Sequence, residues 1–139
     1  MRFQGQVVRS GKFWLVEIPI LDAATQGHSR AEAFKMAADL VETLANKDGF
    51  KVVIHPAHKD VFEVSSDDVG TMTALLLRRC RETSGLSLAE AAHRLGAKSR
   101  NAYARYEQGR AVPTIAKLNE LLRAVSPGRD FVLREARAI

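Results

Sequence analysis

The amino-acid sequence predicts an α+β protein in two parts, a small β-β-α-β-β domain followed by an all-helical one. Three observations carry this expectation. Runs with the period-2 alternation of strands are confined to the first 65 residues, and from Ser66 onward apolar residues recur at helical spacing. Charge divides along the same line: residues 1–70 carry 8 Lys/Arg and 10 Asp/Glu, net −2, whereas residues 71–139 carry 13 and 6, net +7. With 139 residues, 46% of them apolar, the chain suffices for one domain or two very small ones with a buried core, which excludes a disordered protein.

Phe3–Arg9 and Phe13–Ile18 read as strands joined by Ser10, Gly11 and Lys12, the glycine suiting a hairpin. In the second strand Trp14, Val16 and Ile18 share one face and Phe13, Leu15 and Glu17 the other, and Pro19 ends it. Trp14 is assigned to the core, with a partner-binding surface as the alternative. Ser29 and Glu32 make a capping box, after which Phe34, Ala37, Ala38, Val41, Leu44 and Ala45 mark one face of a helix reaching Asn46. Asp48-Gly49 turns the chain into two further strands, Phe50–His55 and Val61–Ser65. Ser66, Asp67 and Asp68 open the next helix, with Val69, Met72, Leu76 and Cys80 along one stripe and Gly85 closing it. The expected domains are 1–66 and 67–139.

From Gly85 to Leu122 the pattern changes to short helices. Ser87 and Glu90 form a second capping box and Gly96 ends that helix; another begins near Ser99 and stops at Gly109. Pro113 blocks continuation, and Thr114 caps a third helix carrying Ile115, Leu118, Leu121, Leu122 and Val125 at helical spacing. Two short helices joined by a tight turn and braced by a third predict a helix-turn-helix. On a helical wheel of residues 99–108, Ala102, Tyr103 and Tyr106 lie on one side and Arg100, Asn101, Ala104 and Arg105 on the other. The second side is the candidate reading head, because Arg pairs bidentately with guanine and Asn with adenine in the major groove. Lys98 and Arg110 flank it as candidate phosphate contacts, and Ser99 and Ser87 complete the candidate DNA-binding set. For Arg78, Arg79 and Arg81, phosphate contact and a solvated helix face stand as equal readings. For Asp130–Glu135, within residues 129–139, a strand and a disordered tail both stand; a strand would need an edge from a second subunit.

The run R-Y-E-Q-G-R-A-V-P-T from Arg105 to Thr114, following Leu95-Gly96, resembles the repressor-type (Cro/C1, or XRE) helix-turn-helix. The resemblance implies a buried Tyr106, Glu107 as the family's glutamate, Gly109 as its closing glycine, and groove-facing positions at Arg100, Asn101 and Arg105. It departs at Leu88, where many members carry Gln. The first half resembles a second family: F-W-L-V-E-I-P at 13–19, T-Q-G at Thr25–Gly27 and S-R-A-E-A-F at 29–34 are similar to the HicB antitoxins over about residues 2–65. That resemblance implies a partial RNase H-like fold that binds and blocks a small ribonuclease toxin, HicA, and a C-terminal DNA-binding domain that represses the shared operon. The segment Ile20–Ala24 departs from it in lacking a Leu-Pro-Gly step.

The residues themselves argue against catalysis. Metal-dependent nuclease chemistry of the RNase H kind needs several carboxylates converging on two cations, one of them on the first strand, and RFQGQVV carries none. Asp22, Asp39, Glu42 and Asp48 remain, but Asp39 and Glu42 fit the solvated side of their helix. No nucleotide loop, Ser-His-Asp set or Cys-His pair is visible, so no catalytic residue, cofactor or metal is expected. His55 and His58 lack a third ligand nearby, His28 and His93 read as surface residues, and Cys80, the single cysteine, can form neither an internal disulfide nor a cysteine zinc site. Arg9 and Lys12 interrupt the N-terminal apolar run, and no later stretch approaches the roughly 20 apolar residues of a membrane helix. The expectation is a cytoplasmic type II antitoxin with a HicA-type toxin and double-stranded operator DNA as partners, forming a homodimer or higher homo-oligomer. A stand-alone helix-turn-helix repressor with a ligand-sensing first domain is the alternative, and a residual nuclease the third class.

Overall fold

The computed structural model describes residues 1–136 and is an α+β protein that divides into two compact units, Met1–Leu76 and Leu77–Ile139. The first unit is built on a five-stranded antiparallel sheet: β1 (Arg2–Ser10), β2 (Phe13–Ile18), β3 (Ala23–Gly27), β4 (Val53–Pro56) and β5 (Val61–Ser65), in the order β3-β2-β1-β5-β4. One helix, α1 (Arg30–Ala45), lies between β3 and β4 in sequence. Alternation decides which side chains face inward, since successive residues of a strand point to opposite faces. Phe3 and Val7 of β1, Val16 and Ile18 of β2, and Phe62 and Val64 of β5 are buried together with Ala33, Ala37 and Val41 of α1. Trp14 is half-buried, on the side of β2 that holds Val16 and Ile18. On the opposite face Val8 and Leu15 pair directly across β1 and β2 and stay exposed.

The third strand was not anticipated from the sequence. Residues 19–28 read as a loop, yet after a 3₁₀ turn at Pro19–Leu21 and a left-handed Asp22 the chain runs back along β2, pairing Leu15 with Gln26 and Glu17 with Ala24. Of the residues Ala23–Gly27 only Thr25 favours a strand by itself, and pairing to β2 overrides the weak signal of the rest. Gly27 ends this strand against α1: a Cβ there would stand 2.5 Å from the Ala33 amide nitrogen. The glycine of the T-Q-G step is therefore what lets strand and helix approach. Ser29 Oγ accepts the Glu32 amide at 3.1 Å and starts α1, and Asn46, left-handed at φ 49°, stops it. The fourth strand is shorter than predicted, beginning at Val53 rather than Phe50, since the Phe50 amide donates to the Lys47 carbonyl, the Val52 amide to the Glu42 carboxylate and the Ser66 hydroxyl to the Lys51 carbonyl, in place of bonds to a neighbouring strand.

Helix α2 (Val69–Thr83) spans the division between the units. Asp68 opens it: Oδ1 accepts the Thr71 amide at 3.0 Å, and Oδ2 accepts the Thr71 hydroxyl at 2.6 Å and Lys47 Nζ at 2.7 Å. The Lys47 ammonium and the Thr71 donors hold the Asp68 carboxyl down at about 2. Met72, Leu76 and Cys80 are buried as their stripe predicts, but Val69, one residue past the cap, is exposed. The second unit continues with α3 (Leu88–Arg94), α4 (Asn101–Glu107) and α5 (Ile115–Val125). Of the 129–139 segment, residues 129–136 form neither helix nor strand, and residues 137–139 lie outside the described residues. No helix among the described residues is long and apolar enough to cross a membrane.

Candidate nucleic-acid interface

The second unit is organised by helix boundaries that the sequence encodes locally. Ser87 and Glu90 complete the capping box at the start of α3: the Glu90 amide donates to Ser87 Oγ at 3.0 Å, and the Ser87 amide donates to Glu90 Oε1 at 3.2 Å. These bonds favour the ionised Glu90 and lower its pKa. At the end of α3 the Ala97 amide reaches back to the Ala92 carbonyl at 3.0 Å, and at the end of α4 the Arg110 amide reaches back to that of Arg105, also at 3.0 Å. Gly109, at φ 71°, supplies the left-handed step that turns the chain for the second of these bonds. Thr114 caps α5 by accepting the Lys117 amide at 3.1 Å. At the other end of the unit Ser84 Oγ donates to the Val125 carbonyl at 2.7 Å.

Helix α4 is anchored from its buried side. Tyr103 is fully buried and Tyr106 is 8% exposed, as their helical phase predicts. Glu107, one turn beyond Tyr103, accepts three charge-assisted or buried bonds: Arg81 Nε–H on Oε1 at 2.6 Å, Arg81 Nη2–H on Oε2 at 3.1 Å, and the Tyr103 hydroxyl on Oε1 at 2.7 Å. Arg81 also donates to the Leu86 carbonyl at 2.9 Å. The Glu107 carboxylate pushes the Arg81 pKa upward against burial, and burial, reinforced by Glu107, raises that of Tyr103. This resolves the basic run on α2. Arg81 is a structural partner of Glu107 rather than a phosphate contact, while Arg78 and Arg79 lie 3.8 and 3.4 Å from Glu82. A carboxylate on the buried side of α4 was the sequence signal that an internal cation was needed; nothing in the spacing named Arg81.

The outward side carries most of the predicted set. Lys98, Ser99, Arg100, Asn101, Arg105, Arg110 and Ser87 are all exposed. Helix α4 begins at Asn101, with Arg100 as its cap residue and no side-chain cap, so Ser99 contributes its carbonyl, bonded to the Ala102 amide at 3.1 Å, rather than the expected hydroxyl cap. Ala104, expected among the DNA contacts, is buried instead. It is 3% exposed, turned into the unit beside Tyr103, and is not available to touch DNA. At about 100° per residue Ala104 falls about 60° from Glu107, which is paired to Arg81 inside the unit, so the buried arc of α4 is wider than the two tyrosines define and takes in this small residue. Arg105 stays outside with its guanidinium over the Tyr106 ring, 5.0 Å from the centroid.

In the first unit His55 Nε2 lies 2.7 Å from Ser65 Oγ, and His58 is exposed in the loop that follows β4. Among the described residues no group of three or more His, Cys, Asp or Glu side chains is placed to hold a metal ion. Cys80 is buried, which raises its pKa.

No curated protein matches the chain. Residues 74–130 match the model of a helix-turn-helix domain, which covers the end of α2 together with α3, α4 and α5. The second part of this chain is thus a helix-turn-helix domain, of the kind that DNA-binding regulators carry.

Proposed function

We propose that the chain is a non-catalytic, cytoplasmic antitoxin of HicB type, whose helix-turn-helix domain represses its own operon and whose first unit sequesters a HicA-type ribonuclease toxin. The observation that carries the DNA-binding half is the two-sidedness of α4. Tyr103, Tyr106 and Glu107 are committed to the interior, while Arg100, Asn101 and Arg105, flanked by Lys98 and Arg110, are exposed on one short helix and its turns. Arg and Asn there suit guanine and adenine edges, and Lys98 and Arg110 suit phosphates. A homodimer would place two such helices about 34 Å apart on a palindromic operator.

Support for the toxin-binding half comes from the HicB-like motifs, whose glycine at Gly27 is required by the approach of β3 to α1. The charge balance supports it too. A ribonuclease has to hold RNA and carries a basic surface, which the net −2 of residues 1–70 complements. The test is co-expression with the adjacent gene, the tag on the neighbour alone. A stoichiometric complex with a small chain that arrests growth by itself is the expected result. Specific DNA binding with no such complex would move the assignment to a stand-alone repressor.

A further inference from the structure

We propose that Tyr106 is a positioning residue for base reading: it holds the Arg105 guanidinium in a fixed orientation on the exposed side of α4 before DNA arrives. The inference rests on α4 being the recognition helix. Four exposed cations surround that helix, Lys98, Arg100, Arg105 and Arg110, and their circumstances differ. Among the described residues, Lys98, Arg100 and Arg110 make no side-chain hydrogen bond or ion pair, whereas Arg105 stacks at 5.0 Å from the Tyr106 centroid and donates Nη2–H to Tyr106 Oη at 3.3 Å. Tyr106 is itself 8% exposed, so the platform is held by the interior and moves with the domain.

A solvated arginine has many rotamers to lose on binding. One stacked on a ring has lost part of that freedom already, and the stack leaves edge N–H groups of the planar fork open to a bidentate acceptor such as guanine O6 and N7. The backbone behind it is fixed as well, since the Arg105 carbonyl accepts the amides of both Arg110 and Ala111. Arg105 is thereby the cation of the four whose orientation is held before DNA arrives.

The experiment uses the full chain and duplexes it selects from a random-sequence library. Arg105→Ala and Tyr106→Leu are expected to flatten base preference at the same position of the selected site, and Tyr106→Leu to weaken binding about two- to tenfold. In the Arg105→Ala background Tyr106→Leu should add almost nothing, and Tyr106→Phe, which keeps the ring, should preserve the preference. Additive losses, or preference flattened at every position alike, would reduce Tyr106 to a packing residue and overturn the proposal. Should Tyr106→Leu not fold, the Arg105 Nε–H signal of the unmodified free chain decides. It should be ring-shifted and less mobile than that of Arg110, and equal mobility would overturn the proposal. A folded chain that selects no sequence would remove the recognition reading itself, and this inference with it.

Discussion

Arg81 of α2 and Glu107 of α4 form a two-point ion pair with N–O distances of 2.6 and 3.1 Å, and the Tyr103 hydroxyl closes it at 2.7 Å. The side chains are 14% and 7% exposed, so neither charge has water to fall back on. A pair in that setting adds little net stability over a well-packed apolar one, but losing one member leaves the other buried and uncompensated. It fastens α4 to α2 through the side of α4 that carries Tyr103 and Ala104, and Arg105 stays exposed on the other side.

Arg81→Met is expected to destabilise the second unit by about 3–5 kcal/mol. Arg81→Lys should cost less, keeping the charge but not the fork. The two tyrosines, Tyr103 and Tyr106, both lie in the second unit and the one tryptophan, Trp14, in the first, so denaturant unfolding followed by tyrosine and tryptophan signals separates the two. An Arg81→Met chain whose tyrosine transition is unmoved would show that the pair does not anchor α4.

Acid should weaken the start of α2. The Asp68 carboxyl titrates at about 2 in the folded chain against 3.8 ordinarily, so its contribution to stability is complete above about pH 4 and is lost as the pH falls from there towards 2. The side chain is 37% exposed, and solvent screening keeps the contribution modest. Asp68→Asn, which can still cap the helix, should shrink the drop in melting temperature between pH 5 and pH 2.5. Parallel curves for the two chains would count against the Lys47–Asp68 contact.

Gly27→Ala should cost about 1–3 kcal/mol in urea unfolding of the first unit, because a methyl group would press on backbone atoms of α1 that have no rotamer to yield with. At Thr25, half-buried on the same strand, Thr25→Val should be tolerated within about 1 kcal/mol, since a β-branched side chain suits a strand. Equal effects at the two sites would place the sensitivity in the strand at large rather than in its approach to α1.

On DNA, Arg100→Ala is expected to cost about 1–3 kcal/mol on the selected sequence and little on random duplex. Lys98→Ala should weaken both evenly and lower the salt slope by about one. Titrations at two or more salt concentrations distinguish the two behaviours, and identical losses on both duplexes for both variants would reverse the roles assigned to them.

Local chemistry makes much of this protein legible in its sequence. The capping residues Ser29, Ser87 and Thr114, the closing Gly109 and the period-2 faces of β2 each depend on neighbours within a few residues, and each stands where the pattern indicates. The inward phase of Tyr103 and Tyr106 follows from the helical period alone. What escaped were features whose cause lies far along the chain. Strand β3 exists because β2 offers it an edge, and its own residues barely favour it. Arg81 looked like one member of a surface run because its partner is 26 residues away. The sequence by itself thus determined where the capped helices α1, α3 and α5 start, where the hairpin of β1 and β2 lies, and that the cations gather in the second half. Tertiary structure alone decided which arginine is spent on Glu107, that Ala104 is buried beside it, and that β3 joins the sheet, because pairing a buried charge and filling a core are satisfied only across elements.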